Sequence, residues 1–174
     1  MINKNYLKKE NIVEIKRELS KNGILVLKDF LLLGEYNKLK SKILKLEYKK
    51  EGRLMECNLG SAEAYLPYEI NTFLTHIFGL SVKEVKAYSL GHKDYWLLSH
   101  EKNNAEFIFD FTPYWNSEFG GLVCYRDDKG NVIKIPSCEN SLILVNDKKL
   151  KRYIQYVNHH AGKKKRYFIL GKIC

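Results

Sequence analysis

The sequence predicts an α+β domain in which helices come first and a strand-rich sandwich or barrel follows. Three observations lead there. Apolar residues recur at helical spacing as far as Ile77. From Val82 onward, eight short β-type segments follow one another, at 82–90, 94–99, 106–112, 121–126, 131–135, 141–145, 152–158 and 166–173. Turn-forming residues separate them: Gly91, Gly120-Gly121, the run Asp127 to Asn131, Pro136 and Ala161-Gly162-Lys163.

Residues 8–20 set Ile12, Ile15 and Leu19 among Lys and Glu, an amphipathic helix that Gly23 stops. Ile24-Leu25-Val26-Leu27 is short and apolar, a buried strand. Leu32, Tyr36, Leu39, Ile43 and Leu46 then mark a second helix with a lysine-rich outer face. Residues 50–67 keep no clean period and are expected as a loop with an irregular strand. Ile70, Phe73, Leu74 and Ile77 mark a third short helix closed by Gly79. With neither repeat nor linker in view, 1–174 is expected to be a single domain, 1–80 forming a helical support region with a leading strand and 81–174 the β core.

At 174 residues, 45% hydrophobic and 29% charged with only 3 Pro and 11 Gly, the chain is neither disordered nor low-complexity, and it has no room for a second catalytic domain. Thirty basic against 20 acidic side chains give +10, which invites a nucleic-acid or membrane-surface reading. The charge is uneven: residues 1–50 carry 13 basic and 6 acidic side chains, 51–147 carry 8 and 14, and 148–174 carry 9 and none. Two basic ends packed beside an acidic body, or a basic face for a polyanion, would both give this split; a lysine-rich solvated surface is the simplest account. Most of the 12 Tyr, 8 Phe and 2 Trp fall at alternating strand positions without the Arg/aromatic pattern of nucleic-acid modules, so nucleic acid is a disfavoured partner. Cys57, Cys124, Cys138 and Cys174 lie far apart, which excludes a zinc or dithiol motif. The start lacks the apolar stretch of a signal peptide, and no run approaches the roughly 18–20 apolar residues of a membrane span. A cytoplasmic protein that does not enter the membrane is expected.

Phe107-Ile108-Phe109-Asp110-Phe111 runs into Thr112-Pro113-Tyr114-Trp115 and then Gly120-Gly121-Leu122: a strand, a wide turn anchored by Trp, and a step where the backbone bends or another segment passes close. Around it stand Tyr88-x-x-Gly91, the segment Asp94 to His100, Pro136 followed by Asn140 to Val145, and the closing pair Tyr153 to Val157 and Arg166 to Ile169. In this order the chain resembles the double-stranded β-helix, or jelly roll, of the iron- and 2-oxoglutarate-dependent oxygenases, close to the prolyl 4-hydroxylase-like branch. The resemblance implies that Ile24 to Leu46 are the leading strand and supporting helix, and that 81–174 are the jelly-roll core.

That family holds Fe(II) with His-x-Asp or His-x-Glu and a distal His, leaving positions open for 2-oxoglutarate and O₂. The matching positions here read His100-Glu101-Lys102 and Arg152. Lys and Arg offer no lone pair and repel a metal, so the resemblance leaves His100 alone as a metal residue. Substitutes are poor. His92-Lys93-Asp94 follows Gly91 in what reads as an exposed charged turn, and Glu101 would face away from His100 on a regular strand. His159 and His160 fall in the final turn, and His76 in the third helix reads as a partly buried packing residue. On the cosubstrate side the resemblance places Arg166 against the far carboxylate of 2-oxoglutarate, with the Tyr88 phenol assisting. Arg166 reads as readily as the end of the Lys163-Lys164-Lys165 run.

Three functions are left. The favoured one, on Lys102 and Arg152, is a non-catalytic or altered-activity homologue with its iron triad lost and no cofactor required. The second is an active 2-oxoglutarate-dependent dioxygenase that uses Fe(II), 2-oxoglutarate and an unorthodox ligand set to hydroxylate a peptide or small molecule. The third is a polyanion-binding module built on the basic ends.

Overall fold

The computed structural model describes residues 1–53, 57–98, 105–146 and 149–174. In chain order its elements are α1 (Lys9–Asn22), β1 (Ile24–Leu27), α2 (Leu33–Leu44), β2 (Lys49–Arg53), β3 (Cys57–Glu63), α3 (Tyr68–Phe78), β4 (Val82–Leu90) and β5 (Tyr95–Trp96). Then come β6 (Ala105–Asp110), β7 (Val123–Arg126), β8 (Val132–Ile135), β9 (Ser141–Val145), β10 (Lys151–Ile154) and β11 (Arg166–Ile173). The described strands form one curled antiparallel sheet in the order β1-β9-β6-β11-β4-β3-β5-β10-β7-β8, with β2 added on β3. β3 makes the corner: Gly60–Glu63 pair with β4, and Cys57–Asn58 pair with β5. The result is a jelly roll.

Two apolar clusters divide it. The helices bury Ile15 and Leu19 (α1), Tyr36, Leu39 and Ile43 (α2), and Ile70, Phe73, Leu74 and Ile77 (α3) on the outer face of β6, β9 and β11, against Phe107, Phe109, Leu142, Leu144 and Ile169. Inside the roll, Tyr88, Leu90, Ile108 and Phe168 meet Val123, Tyr125, Ile135 and Ile154 from the facing strands. β6 is buried on both sides. Its alternation sends Phe107 and Phe109 to the helices and leaves Glu106, Ile108 and Asp110 on the interior face. Gly23 and Gly79 end α1 and α3 in the left-handed conformation, their N–H groups donating to Leu19 and Thr75.

Four expectations are corrected. Residues 50–67 hold two regular paired strands, β2 and β3, in place of a loop with an irregular strand, in register from Lys49–Ser61 to Arg53–Cys57. β2, Lys-Lys-Glu-Gly-Arg, shows no apolar alternation because its place is held by the backbone ladder. β10 stops at Ile154, short of the expected 158. His76 is exposed rather than packed, and Asp94 is buried rather than part of an exposed turn. Among the described residues, no helix is long and apolar enough to cross a membrane.

Candidate functional site

Period-two alternation on β6, β10 and β11 brings charge into the roll. Arg152, on β10, faces inward with its side chain 4% exposed, and Glu106, on β6, comes from the opposite wall with 3%. Arg152 Nε lies 3.2 Å from Glu106 Oε1, and the guanidinium carbon sits 4.4 Å from the centre of the Trp96 ring. Tyr125, the neighbour of Arg152 across the β7–β10 ladder, donates its hydroxyl to the same Glu106 oxygen. Among the described residues Arg152 Nε and Nη1 make no hydrogen bond; the guanidinium is in charge contact with Glu106 and lies over the face of Trp96. Burial raises the Tyr125 phenol well above its ordinary range, and the Glu106 charge raises it further.

The second cation is Arg166, the first residue of β11, fully buried. On the ladder Asp110 is paired with Phe168, which puts Arg166 on its diagonal. Nη2 donates to Asp110 Oδ2 at 2.8 Å, and Nη1 to the Gly121 carbonyl at 2.7 Å. Asp110 also accepts from the Thr112 N–H at 2.9 Å and the Ser137 hydroxyl at 2.8 Å, so both its oxygens are used. Tyr88 shares this interior face, its ring 5.5 Å from Phe168 and 5.4 Å from Trp96. Burial pushes its phenol up to about 12, against the downward pull of Arg152.

The Trp turn supplies Gly121 to Arg166. Trp115 Nε1 donates to the Gly120 carbonyl at 2.8 Å. Gly120 and Gly121 both have positive φ, and a Cβ on Gly120 would stand 2.1 Å from the Tyr156 carbonyl oxygen. The expected close passage is therefore the segment after β10 crossing the Gly-Gly step.

The structure thus brings together Arg152, Arg166 and Tyr88 on one interior. His100, Glu101 and Lys102 lie outside the described residues. His159 and His160 are exposed in a short 3-10 turn, and His92 is exposed beside Lys93. Sequence reasoning missed Glu106, Asp110, Tyr125 and Trp96. A signal was present: Glu and Asp four residues apart in the otherwise apolar Ala105-Glu106-Phe107-Ile108-Phe109-Asp110 place two carboxylates on one buried face, and buried carboxylates call for cations.

This topology is the fold of the 2-oxoglutarate- and Fe(II)-dependent oxygenases of the prolyl 4-hydroxylase-like kind. A prolyl-4-hydroxylase from Pseudomonas putida superposes with a TM-score of 0.75 at 10% identity, covering 93% of this chain and 97% of that one. An oxidoreductase of the 2OG-Fe(II) oxygenase family from Burkholderia pseudomallei gives 0.72 at 9% identity, covering 95% and 92%. A prolyl hydroxylase from Trichoplax adhaerens, in complex with a hypoxia inducible factor peptide fragment, gives 0.71 at 13% identity, covering 95% and 93%. No family model and no curated protein matches the sequence.

Among the described residues no three metal-ligating side chains come together. A metal next to Glu106 would meet the Arg152 guanidinium 3.2 Å from the same oxygen, and a cation repels a cation. A dicarboxylate approaching Arg166 would compete with Asp110 for Nη2, while Arg166 Nε is buried without a hydrogen-bond partner among the described residues.

Proposed function

We propose that the chain is an oxygenase-fold protein in which internal ion pairs have replaced iron and cosubstrate, leaving a non-catalytic jelly roll that works as a binding or scaffolding body. The observation that carries this reading is the pairing of both inward guanidinia, Arg152 with Glu106 and Arg166 with Asp110, inside the roll. A peptide is the partner class that the likeness to the peptide-bound Trichoplax adhaerens structure supports. Four free cysteines fit a reducing, cytoplasmic setting. The test is aerobic incubation of the full chain with Fe(II), 2-oxoglutarate and candidate peptides, with succinate as the readout. No succinate above the protein-free control is expected, and His100→Ala should leave iron retention unchanged. Stoichiometric iron with succinate release that His100→Ala abolishes overturns the proposal.

A second reading, an active dioxygenase, rests on Arg166 and Tyr88 sharing the interior face. It requires Asp110 to yield Arg166 to the far carboxylate of 2-oxoglutarate, with Tyr88 beside it and His100 bringing Fe(II).

A further inference from the structure

A separate concavity lies beside the β4–β5 turn. Tyr48, Lys50, Gly60, Ser89, Gly91, His92 and Asp94 line a cavity of about 220 Å³ together with Gly162, Lys163, Lys164 and Lys165. Asp94 is its one acidic lining residue among the described residues, and its carboxylate is already committed to the Lys50 ammonium and the Gly91 N–H. Lys164 holds its ammonium over the rings of Tyr114 and Phe119, 5.0 and 5.1 Å from their centres. Lys163 and Lys165 make no ion pair among the described residues, unlike Lys151, Arg152, Arg166 and Lys172 of the same stretch. The Lys165 stem crosses Gly91, its Cγ 3.6 Å from where a Cβ would stand, so the lysine is seated on the turn.

We propose that this cavity binds a phosphate group, as inorganic phosphate or at the end of a phosphomonoester. Two unpaired ammonium groups in a concave site focus positive potential, and a phosphate carrying about −1.5 to −2 charges at neutral pH matches them in number. The volume falls below the roughly 300–1,000 Å³ of pockets for drug-sized ligands, so it suits a single small anion rather than a polymer backbone. Glycines at 60, 91 and 162 keep the walls open for a close approach. The site is independent of the interior ion pairs.

The experiment is isothermal titration of the full chain with sodium phosphate and, separately, with glycerol 2-phosphate, both at fixed ionic strength. One-to-one binding is expected, weakened at least tenfold in Lys163→Met/Lys165→Met and unchanged in Lys9→Met/Lys16→Met on the remote face of α1. Both mutated pairs are exposed, so the variants should keep the wild-type circular dichroism melt. Equal binding of the two probes assigns recognition to the phosphate group alone, and tighter binding of the ester assigns an organic phosphate. Absence of saturable heat with either probe, equal binding by the double variant, or binding of heparin alone overturns the proposal.

Discussion

Glu106 contacts both the Arg152 guanidinium and the Tyr125 hydroxyl from a strand buried on both faces. Truncating one partner of such a pair leaves an uncompensated charge in low dielectric, a cost of about 3–5 kcal/mol. Glu106→Ala should therefore lower Tm by roughly 6–20 °C, and Glu106→Leu with Arg152→Met should recover most of that, read by urea and thermal denaturation. Were Arg152 reserved for a ligand, Arg152→Met alone would stabilise the fold, which would contradict the internal-pair account. The phenols around it carry a pH signature. Burial raises Tyr88 to about 12 and holds Tyr125 well above its ordinary range, so the stability they contribute is complete below the unfolded value near 10 and is lost as pH climbs above it. Between pH 10 and 12 each such phenol should remove up to ~1.4 kcal/mol per pH unit. Tyr88→Phe should flatten the loss measured by urea denaturation at pH 9 and 11, whereas parallel losses in variant and wild type would rule out a raised Tyr88.

Elements with strong periodic patterns were legible before the structure. α1, α2 and α3 and the strands β1, β4, β9 and β11 lie within about two residues of their expected limits, because one-sided burial writes its period into the sequence. β2 and β3 were not legible: Lys49–Arg53 are polar on both faces, Gly60 and Ser61 lack strand propensity, and only long-range pairing makes them strands. The Gly120-Gly121 step was legible as a close approach but not as to what approaches, since Tyr156 and Val157 lie some thirty-five residues on. Gly120→Ala places a Cβ against backbone at positive φ, where no rotamer relieves it. It should cost about 1–3 kcal/mol or more in thermal denaturation. An unchanged Tm would mean that the Trp turn does not clamp the segment after β10.

Across the whole molecule, the charge split finds a physical reason. The acidic middle supplies Asp94, Glu106, Asp110 and Glu139, and the basic ends answer with Lys50, Arg152, Arg166 and Lys40. The ends therefore pack beside an acidic body, and solvated helix lysines account for only part of the +10. The inward placement of Arg166 and Tyr88 could be read from the resemblance, since strand order fixes which residues face inward. The carboxylates opposite them could not, because a pair that joins β6 to β10 or β11 spans forty residues or more and leaves no local pattern. The central claim, that the inward cations belong to the chain's own carboxylates, is tested most directly by anaerobic calorimetric titration of the full chain with 2-oxoglutarate in the presence of Fe(II). The account predicts no saturable heat. One equivalent of 2-oxoglutarate bound, with the heat abolished by Arg166→Met in a variant that stays folded, would contradict it.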